Sequence, residues 1–133
     1  MEQGDVARWL EDYVEAWRTY DPDAIAALFS DDVVYRYHPY DEPIRGRDAV
    51  VESWLGEGAD EDASSRDPEG TYDASYAPVA VDGDVVVATG SSSYSERPGG
   101  PVKKVYDNCF VMRFDGDRRC REFTEWFIQR PDA

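Results

Sequence analysis

Hydrophobic residues at the start of the chain recur every three or four positions, which is the period of an amphipathic helix. The stripe that this spacing defines consists of Val6, Trp9, Leu10, Tyr13, Val14 and Trp17. A second helix is predicted in "YDPDAIAALF", because Asp21 suits the N-cap and Pro22 suits the first helical position. Two successive helices therefore open the chain.

The pattern changes to a period of two at "DDVVYRYHP", which predicts a strand that ends at Pro39. The two faces of this strand carry Val33, Tyr35 and Tyr37 on one side and Val34, Arg36 and His38 on the other. A helical pattern returns after Gly46 in "PIRGRDAVVESWLG", where Val50, Trp54 and Leu55 share one side. A strand and a third helix thus follow the first two helices.

Strand patterns dominate the second half of the chain. Residues 56–70 hold Gly, Asp, Glu, Ser and Pro with almost no apolar anchor, so we expect a mobile acidic loop there. Four strands are then predicted in "YDASYAPVAV", "DVVVATGSSSY", "KKVYDNCFVMRF" and "RRCREFTEWFIQR". Helices followed by an antiparallel meander predict one α+β domain over residues 1–133, with helices covering one face of a curved sheet.

The last hairpin sets which side chains share a face. A two-residue turn at Gly116 and Asp117 would pair positions so that Phe110 faces Phe123, Tyr106 faces Phe127 and Asn108 faces Glu125. All six side chains then lie on one side of the sheet. The same register puts Cys109 and Cys120 together on the other side, without making them cross-strand neighbours, so we expect no disulfide.

Glu125 is the unusual member of the aromatic face, because it stands between Phe123 and Phe127 in "EFTEWF". A carboxylate in such surroundings must be hydrogen-bonded, hydrated in a cavity, or protonated. One interpretation is a cavity-lining acid or base. The other is a structural residue that bonds Asn108 or a tyrosine near the edge of the sheet.

Charge and composition indicate which kinds of molecule the protein is not expected to bind. The 133 residues include 29 Asp and Glu against 14 Lys and Arg, which gives a formal net charge of −15. Such a surface repels phosphate backbones and anionic lipids, so neither nucleic acid nor a membrane is an expected partner. A charged N-terminus without a following apolar run favours a cytoplasmic location. Neither a metal nor a cofactor is expected, because clustered His or Cys ligands and a Lys-containing phosphate loop are missing.

The order of these elements resembles the nuclear-transport-factor-2-like superfamily. The motifs that carry the resemblance are "YRYHP", "RGRDAV", "RFDG" and "EFTEWF". The stretch "EAWRTYDPDAIAALFSDDVVYRYHPYDEPIRGRDAVVESW" resembles the SnoaL-like branch more narrowly. The resemblance implies a cone, in which a bent antiparallel sheet wraps around the N-terminal helices, with a pocket between them. It also implies a homodimer formed through the outer face of the sheet.

The residue signatures of known activities in this superfamily are incomplete in the sequence. Alignment to ketosteroid isomerases puts Tyr13 at the tyrosine position, but Tyr37 at the base position and Phe110 at the acid position. The Asp, Arg and Asp cluster of limonene-epoxide hydrolase is not evident, and scytalone dehydratase needs two histidines where this chain has only His38. A pair of His38 and Glu125 would imitate the acid and base of SnoaL-type polyketide cyclases.

These observations predict a cofactor-free isomerase, cyclase or hydratase that acts on a hydrophobic small molecule. The residues expected to carry the chemistry are Glu125, Tyr13, Tyr37 and His38. The residues expected to line the pocket are Trp17, Tyr35, Trp54, Asn108, Phe110, Phe123 and Phe127. The alternatives are a binding module without catalysis and a subunit whose outer sheet face, around Trp126, binds a protein.

Overall fold

The computed structural model describes residues 1–56 and 70–131. Its helices are α1 (Gln3–Thr19), α2 (Pro22–Ala26) and α3 (Arg47–Leu55). Its strands are β1 (Phe29–Arg36), β2 (Ile44–Arg45), β3 (Tyr72–Asp82), β4 (Val85–Ser95), β5 (Val102–Phe114) and β6 (Cys120–Gln129). The loop predicted at 56–70 lies outside the described residues, apart from its two terminal glycines.

The start of α2 confirms the capping prediction. The Asp21 side chain accepts a hydrogen bond from the backbone N–H of Asp23 at 3.0 Å, and Pro22 occupies the first turn. Tyr20 caps the C-terminus of α1: its N–H donates to the carbonyl of Ala16 at 2.9 Å, and its left-handed backbone (φ 52°) ends the helix. The sharp reversal at Tyr20 and Asp21 places α2 against α1 and α3.

The strands form one curved, unclosed sheet in the order β2-β1-β6-β5-β4-β3. β3 to β6 pair as the antiparallel meander that the sequence predicts. β1 adds to β6 in parallel, so the sheet is mixed rather than antiparallel throughout. A parallel neighbour is possible because β2, α3 and the rest of the meander provide the long connection that such a pair requires. The predicted α+β cone is confirmed.

The predicted register of the last hairpin is wrong by two positions. Phe110 lies opposite Glu125 and Asn108 lies opposite Phe127. The turn is longer than two residues, because the Asp115 carboxylate accepts the backbone N–H groups of Asp117 and Arg119 at 2.8 and 3.0 Å and closes a wider loop. A slip of two residues leaves every side chain on its original face, so the predicted aromatic face is still formed.

The cysteine placement needs a correction at the end of the same hairpin. The ladder shifts between Arg113 and Phe114, and this irregularity turns Cys120 into the core opposite Phe114. Cys109 remains on the outer face opposite Trp126. The predicted common face is therefore wrong, and both thiols are free.

Aromatic rings fill the interior between α1 and the sheet. Tyr35 and Phe123 stack with centroids 4.6 Å apart, and Trp17 stacks on Trp54 at 3.9 Å. Tyr13, on the buried stripe of α1, contacts six other rings. These packed rings limit the empty space that remains between α1 and the sheet.

Gly90 in the middle of β4 allows the neighbouring strand β3 to approach β4 closely. A Cβ added there would lie 2.0 Å from the Ser75 carbonyl oxygen and 2.5 Å from Cδ1 of Tyr76. No side chain fits at those distances, so β3 and the Tyr76 ring occupy space that only glycine leaves open.

Candidate functional site

A cavity of about 290 Å³ lies between α1 and the inner face of the meander. Its wall is mostly aromatic, with a few polar groups at defined places. The lining residues are Tyr13, Trp17, Tyr37, Tyr72, Tyr76, Ser92, Tyr94, Lys104, Tyr106, Asn108, Glu125 and Phe127.

Six residues predicted for the site line this cavity: Tyr13, Trp17, Tyr37, Asn108, Glu125 and Phe127. Tyr35, Trp54, Phe110 and Phe123 lie instead behind the wall, buried in the core with at most 2% of their surface exposed. They support the lining rings from below, as Phe110 does for Tyr76 at a centroid distance of 4.7 Å.

His38 lies beyond the end of β1 and is not part of the cavity wall. Its Nδ1 is 2.9 Å from a carboxylate oxygen of Asp41, and its ring is 5.0 Å from the ring of Phe127. The ring packing brings His38 close enough to Glu125 to favour the charged carboxylate. His38 therefore influences the site from its rim.

The sequence reasoning missed the cavity residues on β3 and β4. Tyr72, Tyr76, Ser92 and Tyr94 all face inward, and so does Lys104 at the start of β5. The signal was present, because these positions continue the period of two through consecutive hairpins. Finding them required the register of the whole meander, which pairs Tyr72 with Tyr94 and Tyr94 with Lys104.

A hydrogen-bonded chain crosses three strands at the floor of the cavity. Ser92 Oγ on β4 donates to Asn108 Oδ1 at 3.1 Å, and Asn108 Nδ2 on β5 donates to Glu125 Oε2 at 2.7 Å. Oε1 of Glu125 has no hydrogen-bond partner within residues 1–56 and 70–131. One carboxylate oxygen is thus held in place, and the other is available to a bound molecule.

The environment of Glu125 favours its protonated form. Burial raises the pKa of Glu125 from 4.5 to about 7, and the opposing effects of the Asn108 hydrogen bond and His38 are smaller. A carboxyl group with this pKa exists in both protonation states near neutral pH. It can accept a proton and return it without a large free-energy cost.

Three tyrosines of the cavity wall, Tyr13, Tyr37 and Tyr76, stay protonated. Burial raises the pKa of Tyr37 and of Tyr76 to about 12, and raises that of Tyr13 well above its ordinary range. The Tyr37 hydroxyl is tied to Ser53 Oγ at 2.8 Å. These hydroxyls are therefore hydrogen-bond donors at every physiological pH, which suits them to contact an oxygen that gains negative charge.

In the described part of the chain, no three His, Cys, Asp or Glu side chains come together as a metal site would need. Within the same residues, every helix is too short or too polar to span a bilayer.

Two comparisons with known proteins identify relatives of this chain. The SnoaL-like domain matches residues 10–122. An NTF-2 like protein of unknown function from Burkholderia xenovorans LB400 superposes with a TM-score of 0.64 at 17% identity, over 100% of this chain and 90% of that one. A search of curated proteins gave no match. The superposition shows that this chain shares the fold of that NTF-2 like protein. The match over residues 10–122, which is most of the chain, shows that this chain belongs to the SnoaL-like domain family.

Proposed function

We propose that this protein is a cofactor-free acid–base enzyme that isomerises, cyclises or hydrates a hydrophobic small molecule in the aromatic cavity. The proposal depends on the position, the hydrogen bonding and the raised pKa of Glu125. One of its oxygens is fixed by Asn108, the other is open to the cavity, and its pKa is raised to about 7. This combination of position and pKa is typical of a catalytic acid or base.

Glu125 acts as the proton carrier in the proposed reaction. Its carboxylate removes a proton from a C–H or O–H group of the substrate, or from an attacking water, and becomes a neutral acid. Tyr13 donates a hydrogen bond to the substrate oxygen that gains negative charge in this step. Glu125 then returns the proton to a different substrate atom, so that no external acid or base is consumed.

The position of this base differs from that of the base in ketosteroid isomerases, which are members of the superfamily that the sequence resembles. Their base position on the first strand holds Tyr37 here, and their acid position holds Phe110. Glu125 approaches the cavity from β6 instead. The substrate in this proposal therefore presents its reacting atom toward the β5 and β6 side of the cavity.

Proton exchange provides a direct test with simple probes. Flat ketones with acidic α-hydrogens, such as 2-tetralone, are incubated with the protein in D₂O, and deuterium uptake is followed by NMR. We expect the exchange rate to rise with pH through a midpoint near 7, because the carboxylate is the active form. Glu125→Gln should lower the rate at least about 100-fold while changing the dissociation constant about threefold or less.

Glu122→Gln is the matched control, because Glu122 on the same strand pairs with Arg113 outside the cavity at 3.0 Å. It should leave exchange unchanged. If Glu125→Gln weakens binding as much as it slows exchange, Glu125 only binds the ligand. If compounds that bind to the wild type show no exchange at all, the protein is a binding module, which the largely aromatic cavity wall also suits.

The outer sheet face supports the proposal of a homodimer. Trp126 and Ile128 on β6 and Val111 on β5 are large apolar side chains with exposed fractions of 44%, 75% and 36%. Apolar patches of this kind on an otherwise charged protein mark association surfaces. The same face is the one through which the resemblance implies dimerisation.

Trp126→Ser should weaken dimerisation at least about tenfold, because aromatic residues at the centre of an interface contribute most of its affinity. Sedimentation velocity over a concentration series measures this change. Tyr40→Ser is the control, since Tyr40 is also exposed, at 80%, but lies away from the sheet face. A wild type that stays monomeric at high micromolar concentration would contradict the proposed dimer.

A further inference from the structure

Among the residues that the structure describes, Lys104 is the only one that brings a cationic side chain to the cavity wall. Its Nζ lies 5.0 Å from the ring centroid of Tyr94 and 5.5 Å from that of Tyr106. Tyr94 is its direct cross-strand neighbour, and Tyr106 follows on the same face of β5. The two rings hold the ammonium group at one end of the cavity by cation–π contacts.

The charge of Lys104 is not neutralised by an acid in residues 1–56 and 70–131. Some arginines of the described residues do pair with acids: Arg18 pairs with Asp73, and Arg130 pairs with Asp107 at 2.8 Å. Ring contacts position an ammonium group without cancelling its charge, and this leaves it free to bind an anion.

The second polar centre of the cavity lies well away from Lys104. Asn108, which holds Glu125, is four positions further along β5, or about 13 Å at the rise of a strand. The rings of Tyr72 and Tyr76 line the space between these two ends. The cavity thus has an acid–base group at one end, a cation at the other, and aromatic walls between them.

We propose that Lys104 is an anion-binding subsite and that the physiological ligand is an elongated, flat apolar molecule with a carboxylate group. The carboxylate binds the Lys104 ammonium, and the apolar body lies along the tyrosines. The opposite end of the ligand reaches Glu125. This proposal rests on the proposed function, to which it adds the chemical class of the substrate and its orientation.

An aromatic cavity in an acidic protein also suits a cationic ligand, but Lys104 argues against one. The faces of Tyr94 and Tyr106 that would attract an ammonium ligand are already occupied by the Lys104 ammonium. A second cation beside it would meet like-charge repulsion. The net charge of −15 attracts cations and repels anions over longer distances, so any preference for an anion must arise locally at Lys104.

Three probes with the same ring system separate these cases: 2-naphthoate, 2-naphthamide and 2-naphthylmethylammonium. Isothermal titration calorimetry measures their affinities for the wild type, Lys104→Met and Lys104→Arg. We expect the wild type to bind naphthoate about two- to fivefold more tightly than naphthamide, which is the upper part of the range for a partly exposed ion pair. Lys104→Met should remove this preference and leave naphthamide binding within about threefold, and Lys104→Arg should restore the preference.

Each contrary result has a distinct meaning. Equal affinities for naphthoate and naphthamide, tighter binding of the ammonium probe, or an unchanged preference in Lys104→Met would overturn the Lys104 assignment. None of these results affects the role of Glu125, which the deuterium exchange of neutral ketones tests independently. If none of the three probes binds at millimolar concentration, both the subsite and the cavity as a site for flat aromatic ligands are ruled out.

Discussion

Glu125→Gln is expected to increase the free energy of unfolding at pH 8 by about 3 kcal/mol, the equivalent of a pKa raised from 4.5 to about 7. The cause is the cost of keeping a charged carboxylate partly buried among aromatic rings. Glutamine keeps the shape and accepts the same hydrogen bond from Asn108, but it carries no charge to desolvate.

The stability gain of Glu125→Gln should depend on pH, and the direction of this dependence follows from the pKa of Glu125. The folded protein binds the Glu125 proton more tightly than the unfolded chain does, because the folded pKa is the higher one. The stabilising contribution of that proton is complete below pH 4.5 and is lost as the pH rises to about 7. The advantage of Glu125→Gln should therefore be small at pH 4.5, grow up to pH 7 and stay constant above it.

Urea unfolding of both proteins across this pH range measures the difference, in which the other titrating groups cancel. Glu122→Gln serves as the control again and should change stability little at any pH, because exposed ion pairs contribute little. A pH-independent difference between Glu125→Gln and the wild type would show that the carboxylate is well solvated. The proposed acid–base role would then lose its basis.

Gly90→Ala is expected to destabilise the protein by about 3 kcal/mol or more, the upper range for a core substitution that forces atoms apart. The added methyl group would lie 2.0 Å from the Ser75 carbonyl oxygen, and backbone cannot move aside as a flexible side chain can. The strand pair β3–β4 must separate locally, which displaces Tyr76 from the cavity wall. We expect weaker binding of the naphthyl probes at conditions where the variant is still folded.

Gly116→Ala provides the comparison for Gly90→Ala. A Cβ at Gly116 meets nothing within 4 Å, and its backbone is not in the left-handed region. Denaturant unfolding of both variants should give a large loss for Gly90→Ala and little change for Gly116→Ala. Equal stabilities would mean that β3 and β4 lie further apart in solution than the structure places them.

Much of the fold follows from local patterns in the sequence. The period of two assigned Glu125, Asn108 and Phe127 to the inner face, and the cap at Asp21 set the start of α2. Face assignment survives a register error of two positions, since side chains alternate with that period. The register itself depends on the length of the turn, which the Asp115 carboxylate sets by accepting backbone N–H groups. The residue composition of the turn does not reveal these hydrogen bonds.

The sequence did not indicate which of the inward-facing side chains are buried in the core and which line the cavity. The sequence pattern puts Tyr35 and Tyr37 on the same side of one strand, yet Tyr35 is fully buried in β1 and Tyr37, directly after β1, lines the cavity. Curvature of the sheet and the position of α1 decide which inward side chain meets a void and which meets another ring. Both are properties of the assembled fold, and no local pattern encodes them.

The parallel pairing of β1 with β6 joins segments from nearly opposite ends of the chain. Such a contact closes a loop that contains most of the protein, and topologies rich in distant contacts fold slowly. The meander can form from neighbouring hairpins, whereas the pairing of β1 with β6 requires two strands that are far apart in the sequence to meet. Tyr37, which directly follows β1, and Glu125 on β6 both line the cavity, so the cavity exists only once these two strands have paired.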